Sequence, residues 1–353
     1  MLALTAGCTP AAQSYSIFGL GSVMQVVDYA SSAALGQYTR DLVAEVQAAA
    51  DVTREDSDIA RFNAAADEVQ VAVSRLTFDM VRYARRAYDL SEGLYDPTAY
   101  WSVDLWRFLP RKEGISRPYD RPQAEDGAYP TPDPIYIEAF RRLTDMRKIE
   151  TIEQDGQYYL VKHQTATTVA GQVYYAALDL GGVAKGYVIE CVKRFARDNA
   201  LTKGYVSFGS SSLLLLGNRK GQAWDLSLTD PRDEAATYCT LHAKDMAVAT
   251  SGDYQNYYTW QGARYCHLID VRTGCPMQSD LVTVTVIGGD ACLIDALATA
   301  LTVGGLARLK AFAESDYARQ NDLHFVAVYR EGDQYKIYAT LEVDAHISGQ
   351  PQI

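Results

Sequence analysis

The chain has 353 residues, 48% hydrophobic and 22% charged, which supplies a sizeable core and excludes wholesale disorder. Its formal charge of −11 excludes a nonspecific nucleic-acid binder, which needs a basic face, but allows a small anion held in one local positive pocket. No apolar run reaches the roughly 18 residues of a membrane-spanning helix.

In chain order, MLALTAGCTPAAQS sets a short apolar run before Ala6-Gly7-Cys8 and a polar tether. The stretch resembles the end of a bacterial lipoprotein signal, so Cys8 is expected to carry a lipid and hold the protein on the extracytoplasmic side of a bacterial envelope membrane. The other five cysteines form no CxxC pair, so neither a disulfide framework nor a zinc site is expected. Residues 17–30 read as a strand. Leu35, Tyr38, Leu42, Val46 and Ala49 predict a helix over 32–49. REDSDIARFN (54–63) reads as a polar turn and short helix, and Ser74 caps a second helix that Gly93 stops. Residues 94–108 are aromatic and irregular, and 110–134 hold six prolines in 25 residues, a surface loop. A helix follows at 134–145, then a hairpin around Asp155-Gly156. A strand at 177–180, a Gly-Gly turn and a helix from Val183 come next. Short strands fill 204–217, 223–231 and 239–252. The strand 281–288, helices at 291–302 and 304–314 and a hairpin over 322–343 complete the chain. There is no repeat and no βαβ period, so the fold class is α+β, with mixed or antiparallel sheets flanked by helices. One domain is expected over 15–345, between a tether at 1–14 and a tail at 346–353.

Three stretches carry chemistry. In ALDLGGVAKGYVIE, Gly181 and Gly182 open a helix whose free N–H groups and dipole favour an anion. Lys185 adds a full positive charge there, unfavourable beside the dipole until an anion arrives. In CLIDALATAL, Asp295 and Thr299 are one helical turn apart and, with a main-chain carbonyl, make a hard oxygen set suited to Mg²⁺. In ATSGDYQNYYTWQGARYCHLIDVRTGCP, Thr250, Ser251, Asp253, Tyr254, Arg264, His267 and Asp270 crowd a strand–turn frame. Ser251, His267 and Asp270 do not read as a hydrolase triad, because no GxSxG is present. Tyrosine is abundant, 25 against 9 Phe, which suits wet pockets and planar ligands.

These stretches, with DSDIARFN (56–63), EGLYDPTAYWSVDLWRF (92–108), TSGDY (250–254), HLIDVRTGCP (267–276) and DALATAL (295–301), resemble in order the ApbE-like FAD:protein FMN transferases, over about residues 15–345. The resemblance implies transfer of FMN from FAD to a threonine hydroxyl of an acceptor protein through a phosphoester bond, with Mg²⁺ as the metal and AMP released. It also implies that Asp295, Thr299 and the Gly182 main-chain oxygen hold the metal and that Asp179 and Lys185 contact FAD. Leu94, Tyr95 and Asp96 would line the flavin site, with Leu20 and Thr53 where the family often has Met and Tyr. His267 matches a histidine near the pyrophosphate, a candidate proton carrier. Asp295, His267 and Lys185 form the expected catalytic group, the base being Asp295, His267 or a hydroxide on the metal. Departures are Gly209-Ser210-Ser211 for Gly-Gly-Asn/Asp, Val271 for proline, and Cys266 for His or Tyr. The alternatives are an FAD pyrophosphatase yielding FMN and AMP, a non-catalytic FAD-binding lipoprotein, and a solute-binding lipoprotein unrelated to flavin. In the transferase reading, Gly182 and Asp295 must face one cleft.

Overall fold

The computed structural model describes residues 13–29, 33–110, 117–121, 123–124, 127–209, 211–217, 223–342 and 344–345. Cys8, Ser210 and the 346–353 tail lie outside these.

The stretch read as one N-terminal strand is a hairpin. β1 (Gln13–Gly19) turns at Leu20-Gly21 into β2 (Ser22–Asp28), so the first strand begins inside the stretch read as a tether. Both turn residues have positive φ, 49° and 70°, as a two-residue hairpin turn requires. A leucine in the first position hid that turn, since Asn, Asp or Gly is the usual signal. α1 (Ala33–Ala50) buries Leu35, Leu42 and Val46, as its spacing predicts. α2 (Asp58–Ala64) is capped by Ser57, β3 (Val71–Val73) follows, and α3 (Arg75–Leu90) is capped by Ser74. Gly93, at φ 82°, closes α3 by donating its N–H to the Tyr88 carbonyl at 2.8 Å. The stretch read as irregular contains one short helix, α4 (Tyr100–Leu105). α5 (Pro134–Leu143) starts with proline behind its Asp133 cap. β4 (Ile149–Gln154) and β5 (Gln157–Lys162) form the expected hairpin at Asp155-Gly156. β6 (Thr167–Val169) and β7 (Gln172–Tyr174) make a smaller one.

The predicted strand at 177–180 does not form. That run meets the turn before α4 at an isolated bridge from Ala177 to Ala99, rather than pairing with a strand. α6 (Gly181–Asp198) starts two residues earlier than predicted, because the Leu180 carbonyl accepts from both Val183 (3.0 Å) and Ala184 (2.9 Å), drawing the two glycines into the first turn. The remaining elements, in order, are β8 (Lys203–Phe208), β9 (Ser212–Gly217), β10 (Trp224–Asp230), β11 (Asp233–Ala243), β12 (Ala247–Gly252), β13 (Tyr257–Trp260), β14 (Ala263–Cys266), β15 (Ile269–Asp270), β16 (Cys275–Pro276), β17 (Leu281–Gly288), α7 (Ala291–Gly304), α8 (Leu306–Ala313), α9 (Asp316–Gln320), β18 (His324–Glu331), β19 (Gln334–Ala339) and β20 (Asp344–Ala345).

Eight strands form one antiparallel sheet in the order β1-β2-β8-β9-β12-β17-β18-β19. Helices α1, α6 and α7 cover one face, and β10 and β11 pack on the other. β17 is therefore buried on both sides, and its threonines satisfy their hydroxyls sideways on β12: Thr283 Oγ1 donates to the Ser251 carbonyl at 2.9 Å, and Thr285 pairs with Thr250 at 2.9 Å. A second cluster stacks Trp106 on Tyr265, with Tyr119, Phe140 and Tyr174 behind it, and absorbs many of the tyrosines. The cysteines at 191, 239, 266, 275 and 292 form no disulfide among the described residues.

α6 and α7 approach most closely at Gly186. A Cβ there would stand 2.7 Å from the Ala291 carbonyl oxygen, 2.7 Å from Asp295 Cβ and 2.9 Å from Cys292 Cα. Backbone atoms cannot swing aside, so a side chain would force the helices apart. Gly186→Ala is expected to destabilise the fold by about 1–3 kcal/mol in urea unfolding, despite alanine's better helix propensity.

Candidate functional site

A cavity of about 840 Å³ opens beside the tips of α6 and the β1–β2 hairpin. Leu20, Thr53, Leu94, Tyr95, Asp96, Asp179, Gly182, Lys185, His267, Asp295 and Thr299 all line it. Gly182 and Asp295 thus face one cleft, as the sequence reading requires.

At the α6 tip, Asp179 Oδ1 accepts the Gly181 N–H at 2.9 Å, whereas the Gly182 N–H has no partner among the described residues. Glycine is required at 182, because a Cβ would lie 2.7 Å from the Tyr95 ring. The Tyr95 hydroxyl is buried without a partner, and that same Cβ would stand 3.0 Å from it. The unpaired Gly182 N–H and the Lys185 side chain thus line one space, with the Tyr95 hydroxyl buried against the glycine, and an N–H with an ammonium beside it favours an anion. Burial raises the Asp179 carboxyl above its usual range, opposed by the Gly181 hydrogen bond and by Lys185.

Across the cleft, Asp295 Oδ2 accepts the Gly186 N–H at 2.9 Å and Oδ1 accepts the Ser212 hydroxyl at 3.1 Å. In a regular helix the Gly186 N–H would serve the Gly182 carbonyl, so Asp295 competes for it and leaves that carbonyl with acceptor capacity. Thr299 Oγ1 lies 3.0 Å from Ser251 Oγ. One carboxylate, two hydroxyls and a nearby main-chain carbonyl are hard oxygen donors, and they fit Mg²⁺. No three His, Cys, Asp or Glu side chains cluster as a metal site among the described residues, so any cation here relies on hydroxyl and main-chain oxygens. Either hydroxyl of this pair can be the donor, so Thr299 keeps a lone pair for a cation in both arrangements. Burial raises the Asp295 carboxyl, with Lys185, Gly186 and Ser212 pulling the other way. Ser212 goes unmarked in the sequence, and Ser251 stands out there only as one of a polar cluster and a motif, with no partner on α7 assigned to it. Nothing local marks a serine on β9 as the partner of a helix that begins some eighty residues later.

His267 falls between β14 and β15, just outside the strand expected for it. Its Nδ1 lies 3.2 Å from the Gln255 carbonyl, which can only accept, so Nδ1 carries the proton and Nε2 keeps its lone pair. Burial, then the Lys185 charge, push its pKa down to about 4, so the ring is neutral at pH 7. No triad forms: Asp270 holds Arg272 at 2.7 and 2.8 Å, and Ser251 serves Thr299.

The remaining candidates play quieter parts. The Leu20 N–H donates to Gln47 Oε1 at 3.0 Å, and the Thr53 hydroxyl donates to Asp51 at 2.7 Å. Asp96 accepts from the Thr98 N–H at 2.9 Å and the Met146 N–H at 3.1 Å, so its oxygens brace the wall; burial lifts its pKa to about 6. Ser211 Oγ donates to the Phe208 carbonyl at 3.2 Å. Cys266 is buried with its pKa raised to about 11, which keeps it a thiol.

Two measurements test this geometry. Ser212→Ala and Ser251→Ala should each weaken Mn²⁺ binding, read by electron paramagnetic resonance, about 10–100-fold. The His267 ring should titrate near pH 4 by NMR, and Lys185→Met should move that midpoint upward. Because the folded pKa lies below the unfolded 6.5, His267 contributes stability that is full above pH 6.5 and lost as pH falls toward 4.

The sequence matches the ApbE family over residues 20–323. The FAD:protein FMN transferase of Vibrio cholerae serotype O1 is 29% identical over 347 residues, covering 96% of this chain and 94% of its own. The protein of the same name from Escherichia coli K12 is 28% identical over 286 residues, covering 81% and 74%. The solved structure of the flavin transferase ApbE from Vibrio cholerae superimposes with a TM-score of 0.72 at 26% identity, over 93% of this chain and 97% of that one. The apo flavinyl transferase ApbE of Pseudomonas stutzeri shares the fold, with a TM-score of 0.74 at 24% identity over 94% and 95%. Since the family match runs from the β1–β2 turn past the end of α7 and takes in every residue named at the cavity, this chain belongs to the ApbE family.

Proposed function

We propose that this chain is an FAD:protein FMN transferase that moves FMN from FAD to a threonine hydroxyl of an acceptor protein, with Mg²⁺ and with release of AMP. The observation that carries this reading is the meeting, in one cavity, of an anion-binding helix tip and an all-oxygen donor set on the neighbouring helix. Its volume of about 840 Å³ lies in the range of cofactor sites.

In this reading the Gly182 N–H and Lys185 hold the pyrophosphate oxygens of FAD. The acceptor oxygen attacks the FMN phosphorus. The bond from that phosphorus to the bridging oxygen breaks, and AMP leaves with the bridging oxygen. His267, neutral and with Nε2 unprotonated, receives the hydroxyl proton. Asp295, Thr299 and the Gly182 carbonyl would hold Mg²⁺, which when bound neutralises charge growing on the phosphate oxygens. The phosphates would offset the unfavourable placement of a positive charge beside the helix dipole. A lipid on Cys8 would tether the domain at a bacterial envelope membrane, on the extracytoplasmic side. No helix among the described residues is long and apolar enough to cross a membrane.

Incubation with FAD and Mg²⁺, with and without threonine-bearing acceptor proteins, tests the proposal. A fluorescent acceptor band on a denaturing gel is the expected outcome. FMN and AMP alone would mean hydrolysis, and intact bound FAD would mean a carrier. His267→Ala should slow turnover about 10²–10⁴-fold with FAD still bound. Asp295→Ala should abolish the Mg²⁺-dependent reaction, and unchanged turnover would remove Asp295 from its role.

A further inference from the structure

Lys162, the last residue of β5, is 0% exposed and lies outside the cavity lining. Its Nζ donates to the Ala176 carbonyl at 2.7 Å, reaches the Asn63 carbonyl at 3.5 Å and sits 4.5 Å from the centre of the Phe62 ring. Burial pushes its pKa down to about 8, with the Asp67 carboxylate opposing. A buried ammonium is a liability for stability unless its contacts are needed for something else.

One of those contacts, to the Ala176 carbonyl, holds the segment that leads into α6 directly, and the others tie Lys162 to α2, whose Asn63 side chain holds the same segment. Residues 176–179 lie in no strand, yet their polar groups are taken up one by one. The Ala176 N–H donates to Thr165 Oγ1 at 2.9 Å and the Ala176 carbonyl accepts from Lys162. Leu178 is held on both sides by the Asn63 amide, which accepts its N–H at 2.7 Å and donates to its carbonyl at 2.9 Å. The Asp179 N–H donates to the Pro97 carbonyl at 2.8 Å. Side chains from α2, β5 and the segment after it thus do what a neighbouring strand would do. Immediately beyond stand Asp179 and the glycine tip.

Taking the cavity as an FAD site, we infer that Lys162 is a positioning residue: with Asn63 and Thr165 it clasps residues 176–178 and so sets where Asp179 and the α6 tip meet the pyrophosphate. It touches neither substrate nor reacting atoms. A purely structural lysine would change stability when replaced and leave ligand affinity alone. A positioning lysine does the reverse, since misplacing the binding groups weakens binding even where the fold gains from losing a buried charge.

The test is Lys162→Met in the full chain, which keeps the aliphatic stem and removes the ammonium. FAD affinity is read by isothermal titration calorimetry, stability by thermal unfolding, and the segment by amide hydrogen exchange. The expected result is a dissociation constant for FAD raised about tenfold, Tm not lowered, and faster exchange at Ala177, Leu178 and Asp179. An unchanged dissociation constant overturns the inference. If Lys162→Met does not fold, Thr165→Val, which keeps the shape and removes the acceptor for the Ala176 N–H, must raise the constant instead; no change there overturns it equally. If the unaltered chain binds no FAD, the FAD reading fails by itself. The clasp is then decided by exchange alone, and unaltered protection at Ala177–Asp179 in the variant refutes it.

Discussion

The Gly186 N–H donating to the Asp295 carboxylate ties the site to the fold. It exists because residue 186 has no side chain, so two helices touch where a Cβ would collide with main-chain atoms of α7. One contact thereby sets the helix spacing, orients a carboxylate and loosens the hold on the Gly182 carbonyl. The α6 tip and the Asp295–Thr299 oxygens sit on one helix pair, so neither can shift without the other.

Electrostatics at the cavity follow from that closeness. Lys185 lies near enough to lower the pKa of His267 and to oppose the rise imposed by burial on Asp179 and Asp295. A cation, two reluctant carboxyls and a neutral imidazole make a site that is unsettled by itself and suited to a ligand that brings negative phosphates and a divalent ion together. The sheet contributes through Ser212 on β9 and Ser251 on β12, which reach up to the two α7 side chains.

Much of this was legible in the sequence wherever the information is local. The capped helices, the Gly-Gly tip with Lys185 one turn in, and the Asp295–Thr299 pair all rest on spacings within a single element, and the α+β class follows from the order of elements. Ordered motifs reached further and assembled the cavity lining before any geometry was known. What stayed hidden depends on partners distant in the chain. Leu20 occupies a left-handed turn position that its residue type does not advertise. The extended run at 177–180 looked like a strand because it is apolar and buried, whereas its backbone is satisfied by Asn63, Lys162 and Thr165. The fit of Tyr95 against Gly182 is likewise invisible without coordinates.

Gly182 and Gly186 are four residues apart, close to one turn of α6. The helix therefore works as a rigid ruler with two marks, one set at the cavity by Tyr95 and one read by α7. A single residue inserted between them would rotate one mark against the other by about 100°. An insertion in a loop beside this cavity leaves that spacing untouched, whereas this stretch of helix tolerates no change in phase.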